Sequence, residues 1–413
     1  MSPTIGGAAV PTTQGEDRGS GQGLNRDADQ SSDRDASQGS GQDSERDADR
    51  GSGQDSEQDA ALVAVDWGTT SCRFVLVAAA GRALERRSGP GILPLTTAAS
   101  GAEGEGTDDR AETFERALRD EIGDWLDAHP GIPVMMCGMV GSDRGWRDAG
   151  YREAPTAMHP GPEDLVEVAL PGHPAYLVPG IKQHHPAPDV MRGEETQVLG
   201  ALLEVAGDQD GPPSGALLEV ADGQDGPPSD ALVLAPGTHS KWVRVSAGTI
   251  EHFRTYMTGD LFAALLGHTI LASPHADRPP AVGPGPSPAF LRGLDLAFGE
   301  GRASLSRHLF RARSGLVLGD LAPAEVHDFL SGLLIGDEVA DALALLTPDR
   351  DVPVLLIASE QLAPRYRAAL GRAGLRVRHV DGDPATRGLQ AIAGGLLDHL
   401  RRTTDTTQEH PHP

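Results

Sequence analysis

Twice in this chain an apolar strand runs into a Gly-Thr turn and returns as a second strand that begins with a basic residue. "VAVDWGTTSCRFVLV" (63–77) and "LAPGTHSKWVRV" (234–245) align with Gly68-Thr69 on Gly237-Thr238 and Ser71 on Ser240, and a basic residue follows shortly after in each, Arg73 and Lys241. A chain that opens each of its halves with the same strand–turn–strand unit is constrained to two related half-domains facing each other. The intervening pattern agrees. Strand-like runs at 62–68, 73–81, 133–141, 231–238, 242–248 and 352–359 alternate with helical periodicity at 111–128, 194–205, 259–271, 323–346, 364–373 and 384–400. Strands interleaved with helices predict an α/β architecture.

The two turns carry a chemical signal as well. Glycine permits close backbone approach, successive N–H groups around such a turn form an anion-binding concavity, and Thr and Ser hydroxyls add donors. Two matched turns would hold a triphosphate from both sides. Asp66 sits beside the first of them. A carboxylate next to phosphates needs an intervening cation such as Mg²⁺; the alternative for Asp66 is a strand-end residue stabilising its own turn. Arg73 either reaches the phosphates or ends a strand. No Walker A pattern and no dinucleotide fingerprint after a strand occurs in the chain, so neither of those folds is expected.

Composition limits the partners. Residues 1–60 repeat Gly-Ser-Gln and Asp-Arg-Asp elements with almost no apolar side chains, which predicts a disordered acidic tail. That tail holds thirteen acids and five arginines, net −8, leaving −17 of the total −25 on the rest of the chain. Such acidity disfavours nucleic acid or an anionic membrane as the main partner. No basic-then-apolar leader and no bilayer-length apolar run is present, and Cys72 and Cys137 lack metal-ligand spacing, so a reducing cytoplasm is expected. Residues 201–215 recur almost unchanged as 216–230, which reads as a tandem duplication lengthening a linker loop. The domains expected are therefore 61–200 and 231–400, with 401–413 a second disordered tail.

Several segments in series resemble one family. "VDWGTTSCRFVLV", "MCGMVGSDRGW" (136–146), "VMRGEETQVLGA" (190–201), "LAPGTHSKWVRV", "FRTYMTGDL" (253–261) and "FLSGLLIGDEVA" (329–340) are together similar to the 2-dehydro-3-deoxygalactonokinases, sugar-acid kinases of the actin, sugar kinase and heat-shock chaperone superfamily. The resemblance runs in order from about Leu62 to Leu400. It implies two ribonuclease H-like domains with ATP in the cleft between them. The implied reaction is transfer of the γ-phosphoryl group to the 6-hydroxyl of 2-dehydro-3-deoxy-D-galactonate, with Mg²⁺ bridging the phosphates. On this chain Asp66, Gly68, Thr69 and Thr70 resemble the first phosphate motif and its Mg²⁺ anchor. Gly237, Thr238, His239 and Lys241 look like the second. "LLIASEQLAPRY" (355–366) resembles the nucleoside-binding strand and helix, with Ser359 where the superfamily usually has glycine. "DPATRGLQAIAGGLL" (383–397) is similar to the helix linking the domains, and its Gly388, Ala391, Ala393 and Gly394 would permit a close helix crossing.

Transfer to an alcohol also needs a group that accepts the hydroxyl proton. Glu194 and Glu195 stand in the first turn of a helix, where acids commonly oppose the helix dipole. By the resemblance this is also where many superfamily sugar kinases place a catalytic Asp, so both glutamates are candidates for the base, with Asp260 competing. A carboxylate substrate calls for a guanidinium, supplied by Arg192, Arg144 or Arg254. The loop "MVGSDRGW" is read as a substrate loop: Gly138, Gly141 and Gly145 allow close approach, while Met139 and Trp146 either wall the sugar or belong to the core. The alternatives are a kinase of another sugar acid such as 2-dehydro-3-deoxygluconate, or a nucleotide-switched binding module. A homodimer is compatible with the sequence.

Overall fold

The computed structural model describes residues 59–99, 107–207, 230–271, 286–299, 304–346 and 352–408. Most of the expected N-terminal tail, residues 208–229 of the duplicated linker and residues 409–413 lie outside these.

The first half opens with a meander, β1 (Ala60–Trp67), β2 (Ser71–Ala78) and β3 (Ala83–Pro90), followed by helices α1 (Leu93–Ala99) and α2 (Thr107–Ala128) and strand β4 (Val134–Cys137). Short strands follow: β5 (Tyr151–Glu153), β6 (Thr156–Ala157), β7 (Val166–Val168), β8 (Ala175–Leu177), β9 (Gly180–Gln183) and β10 (Asp189–Met191), before helix α3 (Glu194–Gly207). The first sheet has the order β3-β2-β1-β4-β8-β7, with β1 to β3 antiparallel and β4 and β8 parallel to β1.

The second half repeats this plan with β11 (Asp230–Ala235), β12 (Ser240–Ser246), β13 (Thr249–Tyr256), α4 (Thr258–His268), α5 (Pro288–Gly299), α6 (Leu305–Leu318), α7 (Val326–Leu346), β14 (Val354–Leu356), α8 (Ala363–Arg372), β15 (Val377–His379) and α9 (Pro384–Gln408). Its sheet runs β15-β14-β11-β12-β13-β6, again three antiparallel strands flanked by two parallel ones. Each sheet therefore carries the ribonuclease H-like order, and the echo between the two Gly-Thr hairpins reflects equivalent positions in two copies of one fold.

Side-chain alternation decides what lies between the sheets. Along β1, Val63, Val65 and Trp67 face one way and meet Phe114, Leu118, Ile122 and Trp125 of α2, which recur at helical spacing. Leu62 and Ala64 face the other way, into a core shared with Val198, Leu199 and Leu202 of α3, Leu389, Ile392 and Leu396 of α9, and Val233 and Val243 of the second sheet. Burying each such side chain contributes about 1.5–3 kcal/mol, so this shared core couples the halves strongly. The helices cross backbone to backbone: a Cβ on Gly388 would lie 2.1 Å from the Thr196 carbonyl oxygen, and one on Gly200 would lie 1.9 Å from that of Pro384.

The divisions expected from sequence are shifted. Ala60 already belongs to β1, α3 continues through 201–207, and α9 runs past residue 400 to Gln408. Strand β6, from the first half, pairs with β13 of the second sheet. The crossing uses Gly388 as expected and also Gly200, whereas Gly394 has nothing within 4 Å of its Cβ position.

Candidate active site

The first hairpin presents its turn to solvent. The Gly68 N–H closes it on the Ser71 carbonyl at 3.0 Å, and Thr69 and Thr70 are exposed. The N–H groups of Ile92 and Leu93 bind the Gly68 and Thr69 carbonyls, each at 3.0 Å, so those carbonyls are turned toward the following segment. Asp66, the penultimate residue of β1, lies opposite Arg73, whose guanidinium donates to its carboxylate. Gln197 of α3 approaches the same oxygen at 3.5 Å. Burial raises the pKa of the adjoining thiols Cys72 and Cys137, both free.

The second turn, Gly237 to His239, is likewise exposed. It is braced by α4: the Asp260 N–H donates to the Thr238 carbonyl at 3.1 Å, and the Asp260 carboxylate lies 3.1 Å from His239 Nε2. Asp260 is thus tied to the second turn. Lys241 behaves differently from Arg73. It is buried, and its ammonium donates to the Val190 carbonyl at 2.9 Å and to Thr255 Oγ1 at 2.8 Å. Asp189 accepts from the Thr255 hydroxyl and N–H at 2.6 and 2.8 Å. Lys241 therefore fastens the second hairpin to β10, the strand that leads directly into α3.

The start of α3 is where these parts converge. Gly193 holds φ +104°, and a Cβ there would lie 3.1 Å from Gly138 Cα; a Cβ on Gly138, in turn, would lie 2.8 Å from the Trp67 carbonyl and 3.4 Å from Asp66 Oδ1. The "MVGS" loop, the end of β1 and the helix start are in backbone contact for this reason. Both Glu195 oxygens accept the Gly193 N–H, at 2.9 and 2.7 Å, and Glu195 is 2% exposed. Burial, and then the neighbouring Glu194, push its pKa up to about 7. Glu194 is half-buried and accepts the Arg192 N–H at 3.1 Å. Burial raises its pKa too, opposed by the Lys241 charge and reinforced by that of Asp66. One carboxylate thus feels the charged residue of each hairpin.

Arg192 lies in the same turn. It stacks on the Tyr151 ring with its guanidinium carbon 4.2 Å from the centroid and donates to the Gly150 carbonyl at 3.0 Å. Its side chain is 4% exposed, and Nε and Nη1 are buried without a hydrogen-bond partner. A Cβ on Gly141 would press to 3.2 Å from Nη1. The other expected acceptor-side residues are less concentrated. Trp146 is 3% exposed and stacks on Phe114, and Met139 packs against the same cluster, so both are core. Arg254 donates to the Phe253 carbonyl, and Arg144 is exposed.

Two cavities flank the hairpins. One, of about 270 Å³, is lined by Gly237, Thr258 and Gly259 with Ser331 of α7 and Gln361 and Tyr366 at α8. The other, of about 570 Å³, lies between the halves and is lined by Arg73, Arg86 and Gln197 with Ser359 and Asp383. Ser359 thus lines the cavity next to Asp66, and the neighbouring Gln361 and Tyr366 line the first one. Gln197, Gln361 and Tyr151 were not singled out from sequence, although the quoted motifs or their immediate neighbourhood contain them. Only the fold distinguishes them from surface residues.

Among the described residues no three of His, Cys, Asp and Glu come together as a ready-made metal cage. The Asp66 carboxylate beside the exposed Thr69-Thr70 turn is compatible with Mg²⁺, which is usually held by one or two carboxylates with water and substrate phosphates.

The family model for 2-keto-3-deoxy-galactonokinase matches residues 66–392. A Rhizobium meliloti protein named probable 2-dehydro-3-deoxygalactonokinase DgoK1 is 36% identical over 336 residues, 81% of this chain and 96% of the relative. The Escherichia coli 2-dehydro-3-deoxygalactonokinase is 33% identical over 341 residues, 82% of this chain and 99% of the relative. A crystal structure from Sinorhizobium meliloti, described as a 2-dehydro-3-deoxygalactonokinase protein, superposes with a TM-score of 0.63 at 35% identity, covering 80% of this chain and 95% of its own. A match that begins at Asp66, runs through both hairpins and the helix start, and continues into the crossing helix α9 covers every part of the site described above: the chain belongs to the 2-keto-3-deoxy-galactonokinase family.

Proposed function

We propose that the chain phosphorylates 2-dehydro-3-deoxy-D-galactonate at its 6-hydroxyl with ATP as donor. The observation that carries the reading is Glu194: a half-buried carboxylate at a helix start, within the field of Asp66 from one hairpin and Lys241 from the other. The relatives' names supply the substrate.

In this reading the N–H groups and hydroxyls of the exposed Thr69 and Thr70, and those of the exposed turn Gly237 to His239, cradle the phosphates, and Arg73 neutralises part of their charge. The nucleoside occupies the cavity bounded by Gly237, Thr258, Gln361 and Tyr366. Asp66 anchors Mg²⁺, which supplies charge neutralisation on the phosphate oxygens when bound. Glu194 accepts the proton of the 6-hydroxyl as that oxygen bonds to the γ-phosphorus and the bond to the leaving ADP oxygen breaks. The raised pKa makes the Glu194 carboxylate a better proton acceptor. Glu195 holds the Gly193 turn that aims Glu194. Arg192 faces the acceptor's carboxylate with its unpaired Nε and Nη1 donors. The halves close on the pair of substrates and exclude water, limiting hydrolysis of ATP.

ADP release with ATP alone, and then with a panel of 2-keto-3-deoxy sugar acids, tests the reading. Strong stimulation by the galactonate derivative is expected; release unchanged by every acid in the panel would refute it in favour of a nucleotide-switched module.

A further inference from the structure

Beneath the second Gly-Thr turn lies a buried acid with no part in the chemistry described so far. Glu338, in α7, is 2% exposed. Its Oε1 accepts the Trp242 indole N–H at 2.8 Å, and its Oε2 accepts the hydroxyls of Tyr366 at 2.8 Å and Thr258 at 2.5 Å. Tyr366 in turn lies 3.0 Å from the Ser240 hydroxyl. With Tyr366 donating to the carboxylate, Ser240 is left to donate to Tyr366, so every proton in the chain has one direction.

These donors come from the three elements that shape the smaller cavity. Ser240 and Trp242 begin β12, immediately after the Gly237–His239 turn. Thr258 is the first residue of α4 and precedes Gly259, whose missing side chain lets the helix start press on the turn: a Cβ there would lie 2.5 Å from the Gly237 carbonyl. Tyr366 stands in the first turn of α8. Gly237, Thr258, Gly259 and Tyr366 all line the cavity.

We propose that Glu338 is a positioning residue of the nucleotide site, gathering the turn, the start of α4 and the start of α8 into the wall that receives ATP. The proposal rests on the reading that ATP occupies this cavity. The carboxylate can accept from all three donors at once, which a single amide oxygen cannot. Glutamine can still receive the Trp242 N–H on its oxygen while the two hydroxyls rotate to accept from its amide group; methionine, of similar size, removes the shared partner of all three.

The test is a comparison of Michaelis constants. Glu338→Met should raise KM for ATP about tenfold or more, with KM for the sugar acid and kcat within about threefold, because only the nucleotide wall is loosened. Glu338→Gln should recover most of that loss. Tyr366→Phe and Thr258→Ala, each deleting one bond to Glu338 (and the first also the bond with Ser240), should raise KM for ATP by roughly three- to fivefold, and they decide the matter if Glu338→Met does not fold. An unchanged KM for ATP in these variants, or parallel rises in both Michaelis constants, would overturn the proposal. Ser331→Trp, which fills the cavity, separates this from the underlying reading. If its affinity for ADP is unchanged, the nucleotide lies elsewhere; if it abolishes ADP binding while the Glu338, Tyr366 and Thr258 variants bind normally, Glu338 alone is eliminated.

Discussion

Replacing Glu195 by Gln should flatten the pH dependence of stability across the neutral range. Its carboxyl is 2% exposed, and its pKa stands at about 7 in the fold against a reference of 4.5. A raised acid pKa means that the folded protein binds the proton more tightly than the unfolded chain. Its contribution is therefore fully present below pH 4.5 and is lost as pH rises toward and through 7. At about 1.4 kcal/mol per pH unit the full window amounts to about 3 kcal/mol. The chain's pI of about 4.9 makes its lower end unsuitable for measurement. Between pH 5.5 and 8.0 the same linkage leaves about 2 kcal/mol. Urea denaturation of the wild type and of Glu195→Gln at half-unit intervals, with reversibility checked by dilution, isolates this from every other titrating group. The wild type should lose about 2 kcal/mol relative to the variant over that span. Parallel curves, or a wild type that gains stability relative to the variant as pH rises, would refute the assignment of Glu195 as a buried acid held for the Gly193 turn.

Other consequences are as direct. Gly388→Ala should destabilise by about 1–3 kcal/mol in the same denaturation, because its Cβ meets the Thr196 carbonyl at 2.1 Å. Gly394→Ala, with nothing near its Cβ, should be neutral or slightly stabilising. Lys241→Met removes the charge that lowers the Glu194 pKa, so the acidic limb of the kcat/KM profile should move to higher pH; an unmoved limb would separate Lys241 from the base. Trp146→Phe should reduce stability and leave KM for the sugar acid within about twofold, since the ring stacks in the core on Phe114.

The legible parts of this fold are those in which sequence pattern and burial coincide. Strand β1 alternates Leu62 and Ala64 against Val63 and Val65 because both its faces are covered, and the matching Gly-Thr turns identified the second copy. Strand β3 escaped detection because "ALERRSGP" is an edge strand in which most side chains reach solvent. Strands β5 to β10 span only two to four residues each, too few for a period to register. Helices α5 and α6 went unassigned within the second half, and α9 runs beyond its last buried apolar residue, Leu396, where pattern no longer marks it. At the site, residue type located the hairpins and the acidic helix start, but it did not separate Glu194 from Glu195. Their surroundings differ in the fold: Glu195 is buried with both oxygens on the Gly193 N–H, whereas Glu194 is half-buried and accepts the Arg192 N–H. Lys241 looked like the counterpart of Arg73 in sequence, yet its hydrogen bonds run to Val190 and Thr255 in place of a strand-opposed carboxylate.

The most direct test of the account is single-turnover phosphoryl transfer by Glu194→Gln alongside its affinity for ADP. The amide keeps the shape and the acceptor for the Arg192 N–H but does not take up the hydroxyl proton. Transfer to the 6-hydroxyl should fall by about 10²–10⁴-fold with ADP affinity within about twofold. Transfer at the wild-type rate in this variant would contradict the assignment of Glu194 as the base.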